Sequence, residues 1–320
     1  NCHSIHRLDD IAPVHRRQRE RMHALLRDRA TAPEAVAWRA PGLSHCGKCA
    51  WCADAIAEHD DVWQTYGLRG TQWQKLADAG VTTLAQLAAH DRPVAGIPQR
   101  TLDALRSQAA LQLRAAAGDP VPPVELVDAS ALDALPPSSP GDLYFDFEGD
   151  PLYTEAGTGW WGIDYLFGVT DANDTFTPYW AHSLADERAA LIAFLDDVQA
   201  RRREHPELHI YHYASYERTH LRTLAARHGV GEHIVDELLR DGVLVDLYTV
   251  VKHALRIGST SYSIKKLEPL YWPESRLGAA VSAGDDSIAE YIRARELQAS
   301  GDDAAAQQIL EQIADYNRVD

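Results

Sequence analysis

At 320 residues, with 45% hydrophobic and 24% charged side chains, the chain has room for about two globular domains and is too ordinary in composition for a fibrous or disordered protein. No apolar run reaches the roughly 18 residues of a membrane span and the opening residues do not read as a secretory signal, which sets the expectation of a cytoplasmic protein with no membrane partner. The net charge of −16 is uneven: residues 1–120 carry +2 and residues 141–320 carry −15, so the second half either avoids polyanions or meets them through bound cations.

Residues 1–60 begin with a helical stretch whose Arg16, Arg17, Arg19 and Arg21 form a basic run. A solvated helix face is the simpler reading of that run, and a phosphate-contacting patch the other. His45-Cys46-Gly47-Lys48-Cys49-Ala50-Trp51-Cys52 follows, with three cysteines at Cx2Cx2C spacing. Soft thiolates at that spacing select zinc or an iron–sulfur cluster. Cys2, His45 or a cysteine upstream of Asn1 are the candidates for a fourth ligand. Four cysteines with three clustered do not make a secreted disulfide framework.

Residues 61–118 read as helical. Leu76–Leu84 and Val94–Leu102 each set a glycine and a β-branched residue between helix-like stretches, as in helix-hairpin-helix units that offer backbone N–H groups to a DNA phosphate. A plain helical spacer fits the same text. Residues 119–141, rich in proline, read as a linker. From there to residue 320 the pattern is α/β. Strands are predicted over Asp142–Phe147, Tyr165–Val169, Thr175–Ala181, Leu208–Tyr213 and Val243–Tyr248. Helices are predicted over Leu184–Arg203 and Ser215–His228, with a mostly helical remainder. Three antiparallel strands followed by alternating helix and strand define a ribonuclease H-like mixed sheet flanked by helices.

The first strand, Leu143-Tyr144-Phe145-Asp146-Phe147-Glu148, runs into Gly149-Asp150-Pro151, which reads as a turn. Asp146 and Glu148 are two positions apart and so share one face of a strand. Paired carboxylates among apolar neighbours repel, and Mg²⁺ or Mn²⁺ relieves that cost by accepting their oxygens. A solvated edge strand is the plainer alternative. Glu217 falls where the fourth strand hands over to a helix, and Asp320 lies one turn beyond Tyr316. Asp246, Lys265 and Lys266 are the next charged residues of interest, the lysines as cations for a phosphate backbone.

Asp146-x-Glu148, His212-x3-Tyr216-Glu217 and Tyr316-x3-Asp320 together resemble the three motifs of the DEDD 3′–5′ exonucleases, in their tyrosine subclass. More closely, Phe145–Pro151, Tyr211–Glu217, Ser261–Glu268 and the closing Tyr-Asn-x-x-Asp are similar to predicted RecB-family nucleases that carry a C-terminal YprB-type ribonuclease H-like domain. The resemblance implies a two-metal-ion phosphodiesterase using Mg²⁺ or Mn²⁺, with nucleic acid (DNA rather than RNA) as partner and a role in DNA repair or processing. It also implies a RecB-like module ending near residue 60 and, in some members, a helicase domain in the same longer chain. On this pattern Asp146 bridges two ions about 3.5–4 Å apart, Glu148 and Asp320 complete their shell, Glu217 holds the second ion, and Tyr316 orients the attacking water. Three departures stand out. Glu217 occupies a position usually held by aspartate, no Glu-x-Lys nuclease triplet occurs in the chain, and Cx2Cx2C is tighter than the usual iron–sulfur spacing of such nucleases. A catalytically weak nucleic-acid-binding or scaffold module of a larger helicase-nuclease is the rival expectation.

Overall fold

The computed structural model describes residues 8–30, 37–40, 45–116, 121–272 and 284–319. Helix α1 (Leu8–Ala30) leads into α2 (Ala50–Glu58), α3 (Gly70–Asp78), α4 (Leu84–Ala89) and α5 (Gln99–Ala115). Arg16, Arg17, Arg19 and Arg21 of α1 are exposed, as are Met22, Leu25 and Leu26 beside them. The last three helices enclose a small core of Val62, Trp73, Leu76, Leu84, Leu87, Leu102 and Leu105. Gly80 and Gly96 turn the chain between them at φ of 77° and 75°, a region that glycine enters without strain. One carboxylate ties this region together. Asp61, 1% exposed, accepts from the indoles of Trp38 and Trp73, from the Trp63 backbone and from the Arg39 guanidinium, at 2.6–2.8 Å.

The proline-bounded stretch read as a linker carries a short strand, β1 (Val124–Leu126). Beyond it lie β2 (Leu143–Thr154), β3 (Trp161–Asp171), β4 (Phe176–Trp180), α6 (Leu184–Glu204), β5 (Ile210–His212), α7 (Tyr216–His228), α8 (Glu232–Arg240), β6 (Leu244–Asp246), α9 (Leu247–Ala254), β7 (Leu255–Ile257), α10 (Ile264–Leu267), α11 (Gly284–Ser300) and α12 (Asp303–Val319). Strands β4-β3-β2-β5-β6 form one five-stranded mixed sheet, antiparallel on the β4 side of β2 and parallel on the β6 side. This is the ribonuclease H-like sheet expected from the sequence. β1 and β7 pair separately, an association of residues too short to read individually as strands.

Packing follows from the alternation along β2. Leu143, Phe145 and Phe147 bury on one face, where Phe145 stacks on Phe194 of α6 at 4.6 Å. Tyr144, Asp146 and Glu148 fall on the other. Strand β3 is buried from Ile163 to Val169, because α6 covers one side and α11 and α12 the other. Tyr165 stacks on Tyr291 of α11 at 3.8 Å and its hydroxyl pairs with Ser287. The predicted turn at Gly149-Asp150-Pro151 is replaced by continued strand. The ladder shifts register between Glu148 and Gly149 and again between Asp150 and Thr154, and these irregularities absorb a proline that cannot donate to a regular ladder.

Glu187 of α6 locks the sheet to its helices. Fully buried, it accepts from the Asp164 backbone at 2.7 Å, from His228 at 2.6 Å and from Arg227 at 3.1 Å. Glu187→Ala strands all three partners, so urea unfolding is expected to show a loss of about 3–5 kcal/mol, the range for breaking a buried ion pair from one side. Glu187→Gln, which keeps an acceptor oxygen, should lose less.

Candidate functional site

Two places among the described residues gather the candidate side chains. At the first, Cys46, Cys49 and Cys52 bring their sulfurs within 4.8 Å of one another, and no other set of three such ligand groups does so among the described residues. Gly47 makes this turn possible: its φ is 68°, and a Cβ there would fall 2.6 Å from the Trp63 ring. The backbone N–H groups of Lys48 and Cys49 point at the Cys46 sulfur from 3.4 and 3.3 Å. Those donors pull the Cys46 thiol down to about 6, while the neighbouring sulfurs hold Cys49 up. Three sulfurs gathered in this way suit a soft or borderline metal, which binds them as thiolates. His45 does not join it. Its ring stacks on Trp51 and meets Trp38 and Trp73 edge-on, so aromatic packing sets its orientation. The other candidate within the chain, Cys2, lies outside the described residues.

The second place is the polar face of β2. Asp146 carries a hydrogen bond from Asn317 of α12 at 2.8 Å, and Glu148 is buried two residues on. The Tyr216 phenol, at the start of α7, is pushed well up by burial first, then by the charge of Asp164, Asp146 and Glu148, which puts all four in one electrostatic neighbourhood. Glu217 is 2% exposed at the first turn of the same helix. Its Oε2 lies 3.3 Å from His212 Nδ1, yet that nitrogen donates to the Ala214 carbonyl at 2.7 Å, so Glu217 Oε2 is left without a hydrogen bond. Ala214 sits at a φ of 71°, costly for a residue with a Cβ, and is held there from both sides. Asp246 caps α9 and also accepts from the Ala214 backbone at 3.0 Å, which makes it a brace for this turn.

Tyr316 of α12 is buried, and its hydroxyl accepts from Lys265 Nζ at 2.6 Å. Lys265 is thus bound to the tyrosine, while Lys266 is exposed. Asp320 lies outside the described residues. Asp146, Glu148 and Glu217 do not converge within 4.8 Å. They are nonetheless hard oxygen donors, and the buried, unpartnered Glu217 oxygen is one that a small divalent cation would satisfy, so the residue types fit such an ion. Beside Asp146 opens a cleft of about 530 Å³, lined by Tyr144, Tyr211, Tyr213, Tyr271, His212 and Arg318 among others. Asn317, Gly168 and the Lys265–Tyr316 contact are what the sequence alone did not disclose. Only the Tyr-Asn pair in the closing motif offered a signal.

A family profile described as the RNase H superfamily matches residues 143–320. That is over half of the sequence, and the chain belongs to the RNase H superfamily. Domains of this fold typically cleave nucleic acid and usually use divalent metals. No curated protein and no solved structure matches the chain significantly. Among the described residues no helix is long and apolar enough to cross a membrane.

For the cysteine site the expected result is bound zinc or iron in protein purified without oxygen. Replacing Cys46, Cys49 or Cys52 by serine should lower the metal content. A chain with neither metal, and with melting unaffected by chelator, would show the trio to be free thiols.

Proposed function

We propose that the chain is a metal-dependent nuclease, a 3′–5′ exonuclease of the DEDD type acting in DNA repair or processing, and that it belongs to the YprB-type domains found with RecB-family nucleases. The observation that carries this reading is Asp146 on the wall of an aromatic cleft, with Glu148 on the same strand face and Tyr216–Glu217 at the adjoining helix start. Bases stack on tyrosine faces whatever their sequence, and Tyr144 and Tyr271 are 50% and 64% exposed at this cleft. Arg318 supplies a cation at the same wall.

Asp146, Glu148, Glu217 and Asp320 are the residues assigned to Mg²⁺ or Mn²⁺. When bound, such ions lower the pKa of a coordinated water and stabilise the oxygen that leaves. Tyr316 orients the water, because a phenol is a poor base near neutral pH but a good hydrogen-bond partner. Lys265 fixes the phenol's rotation by donating to its oxygen, which leaves the O–H hydrogen to point elsewhere. Tyr216 stays protonated beside the carboxylates and serves as a neutral donor; its hydroxyl lies 3.2 Å from Asp164.

One observation favours the binding-module reading. Glu217 faces His212, and the described carboxylates are not gathered into one shell. Cleavage of end-labelled single-stranded DNA and RNA with Mg²⁺ or Mn²⁺ separates the two. Wild type is expected to shorten the strand from its 3′ end. Asp146→Asn should abolish this while melting at the same or a higher temperature, since neutralising one of two crowded carboxylates relieves repulsion. Tyr316→Phe should retain more activity than Asp146→Asn, and Glu217→Asp should retain or raise it. Binding without cleavage under either metal would establish the module; equal cleavage by Asp146→Asn would remove the site assignment.

A further inference from the structure

Asp146 is paired across the β2–β3 ladder with Gly168. Directly paired residues project to the same face of a sheet, so a side chain at 168 would stand beside the carboxylate. The amide of Asn317 fills that space instead. A Cβ built on Gly168 would fall 1.5 Å from Asn317 Oδ1 and 2.7 Å from its Cγ. From this seat Nδ2 donates to Asp146 Oδ2 at 2.8 Å. A carboxylate only accepts, so it is the amide nitrogen that faces it. The orientation has a cost. Asn317 is 4% exposed and its Oδ1, lying over the Gly168 Cα, has no hydrogen-bond partner. A buried amide that leaves its oxygen unpaired in order to aim its nitrogen at Asp146 has its orientation set by the carboxylate.

We infer that Asn317 is a positioning residue that fixes the orientation of the Asp146 carboxylate toward a divalent cation, and that Gly168 is glycine because Asn317 must cross the strand at that point. The inference rests on the metal-dependent reading above and adds to it a pair of residues that act through the Asp146 carboxylate. Hydrogen bonds to a ligating carboxylate typically change metal affinity by about 10–100-fold when removed. Glycine at 168 is then a requirement of the site, in a strand where a β-branched residue would otherwise be preferred.

The test is Mn²⁺ binding to the purified chain, followed by calorimetry and by the electron paramagnetic resonance signal of the free ion, beside a melting curve for each variant. Asn317→Leu keeps about the same volume without a donor, and should weaken Mn²⁺ binding about 10–100-fold with little change in melting temperature. Asn317→Ala should weaken it equally. Gly168→Ala should do so by expelling the amide, and Gly168→Ala combined with Asn317→Ala should lose no more than Asn317→Ala alone, because both act through one contact. Should Gly168→Ala fail to fold, Asn317→Leu carries the test by itself. Mn²⁺ binding lost in Asp146→Asn but within twofold of wild type in Asn317→Leu overturns the inference and leaves the metal site standing. Losses that multiply in the double variant also overturn it. A wild type that binds no Mn²⁺, or an Asp146→Asn variant that binds as well as wild type, removes the metal site and this inference together.

Discussion

Placing two carboxylates on the covered face of a central strand is the constraint to which the rest of the domain conforms. Water would solvate Asp146 and Glu148 at no cost, whereas beneath α11 and α12 each needs partners. Asn317 reaches down from α12 to Asp146, and Tyr216 from α7, bonded to Asp164, stays protonated in the combined field of the acids. Room for them is made by removing side chains from the ladder. Gly168 clears the path of Asn317, and at Gly149 a Cβ would fall 2.6 Å from Asp164 Oδ1 and 2.9 Å from the Tyr216 hydroxyl. Each glycine sits opposite or beside an acid because that is where polar groups must cross the sheet.

The helical region reaches the same site indirectly. Helix α10 has four residues, too short to be stable on its own account, yet it carries Lys265 to Tyr316. The loop before it is held from the other side. Gln108 of α5 donates to the carbonyls of Ile257 and Ser259, and β1 clamps β7. Tyr66 meets Tyr248 hydroxyl to hydroxyl, and Tyr213, one residue beyond β5, donates to the Tyr262 carbonyl. A small cluster of Ile257, Tyr262 and Leu267 is sealed by these rings. The proline-bounded stretch and the helices before it therefore support the loop that sets Lys265. A purely tethering linker would leave those carbonyls to water.

Much of this fold is legible in the sequence because its elements obey one period each. β2 alternates over its first six residues, so its start is found within a residue, and α6 repeats Leu191, Phe194, Leu195 and Val198 between a Ser183 cap and a basic last turn, so both of its limits are. Reading fails where two segments distant in sequence decide the outcome together. Gly149-Asp150-Pro151 has the composition of a turn, and only its pairing with β3 turns it into bulged strand. β1 and β7 exist through each other. Helix α8, with Ile234, Val235 and Leu238 buried, is amphipathic and was within reach of the same periodicity argument that found α6. In the site, Asp146, Glu148 and Glu217 announce themselves by residue type. Asn317 and Gly168 do not, since neither an asparagine in a helix nor a glycine in a strand signals a role until the strand is laid beneath the helix. His45 is the opposite case: a histidine next to a cysteine reads as a ligand, and three tryptophans claim its ring.

The charge imbalance bears on partners less than its size implies. Several acids of the second half are buried and paired within the domain: Asp164 with His220 at 2.7 Å, Glu187 with His228 and Arg227, and Glu217 beside His212. A formal count treats these acids as free surface charge, which does not describe them. Burial pushes the Asp164 carboxyl up, with His220 opposing that shift, so its ionisation is tied to its imidazole partner. What the proposed nucleic-acid substrate would meet is local. At the cleft beside Asp146 the lining is aromatic, with Arg318 on its rim, and stacking on exposed tyrosines draws little on net charge. A polyanion's phosphates would still feel the acidic face at long range, where salt screens the repulsion within about 8 Å at physiological ionic strength. A −15 half-chain is therefore compatible with the proposed nucleic-acid substrate, and Arg318 at the cleft, more than the sum over the sequence, would govern how its backbone is received.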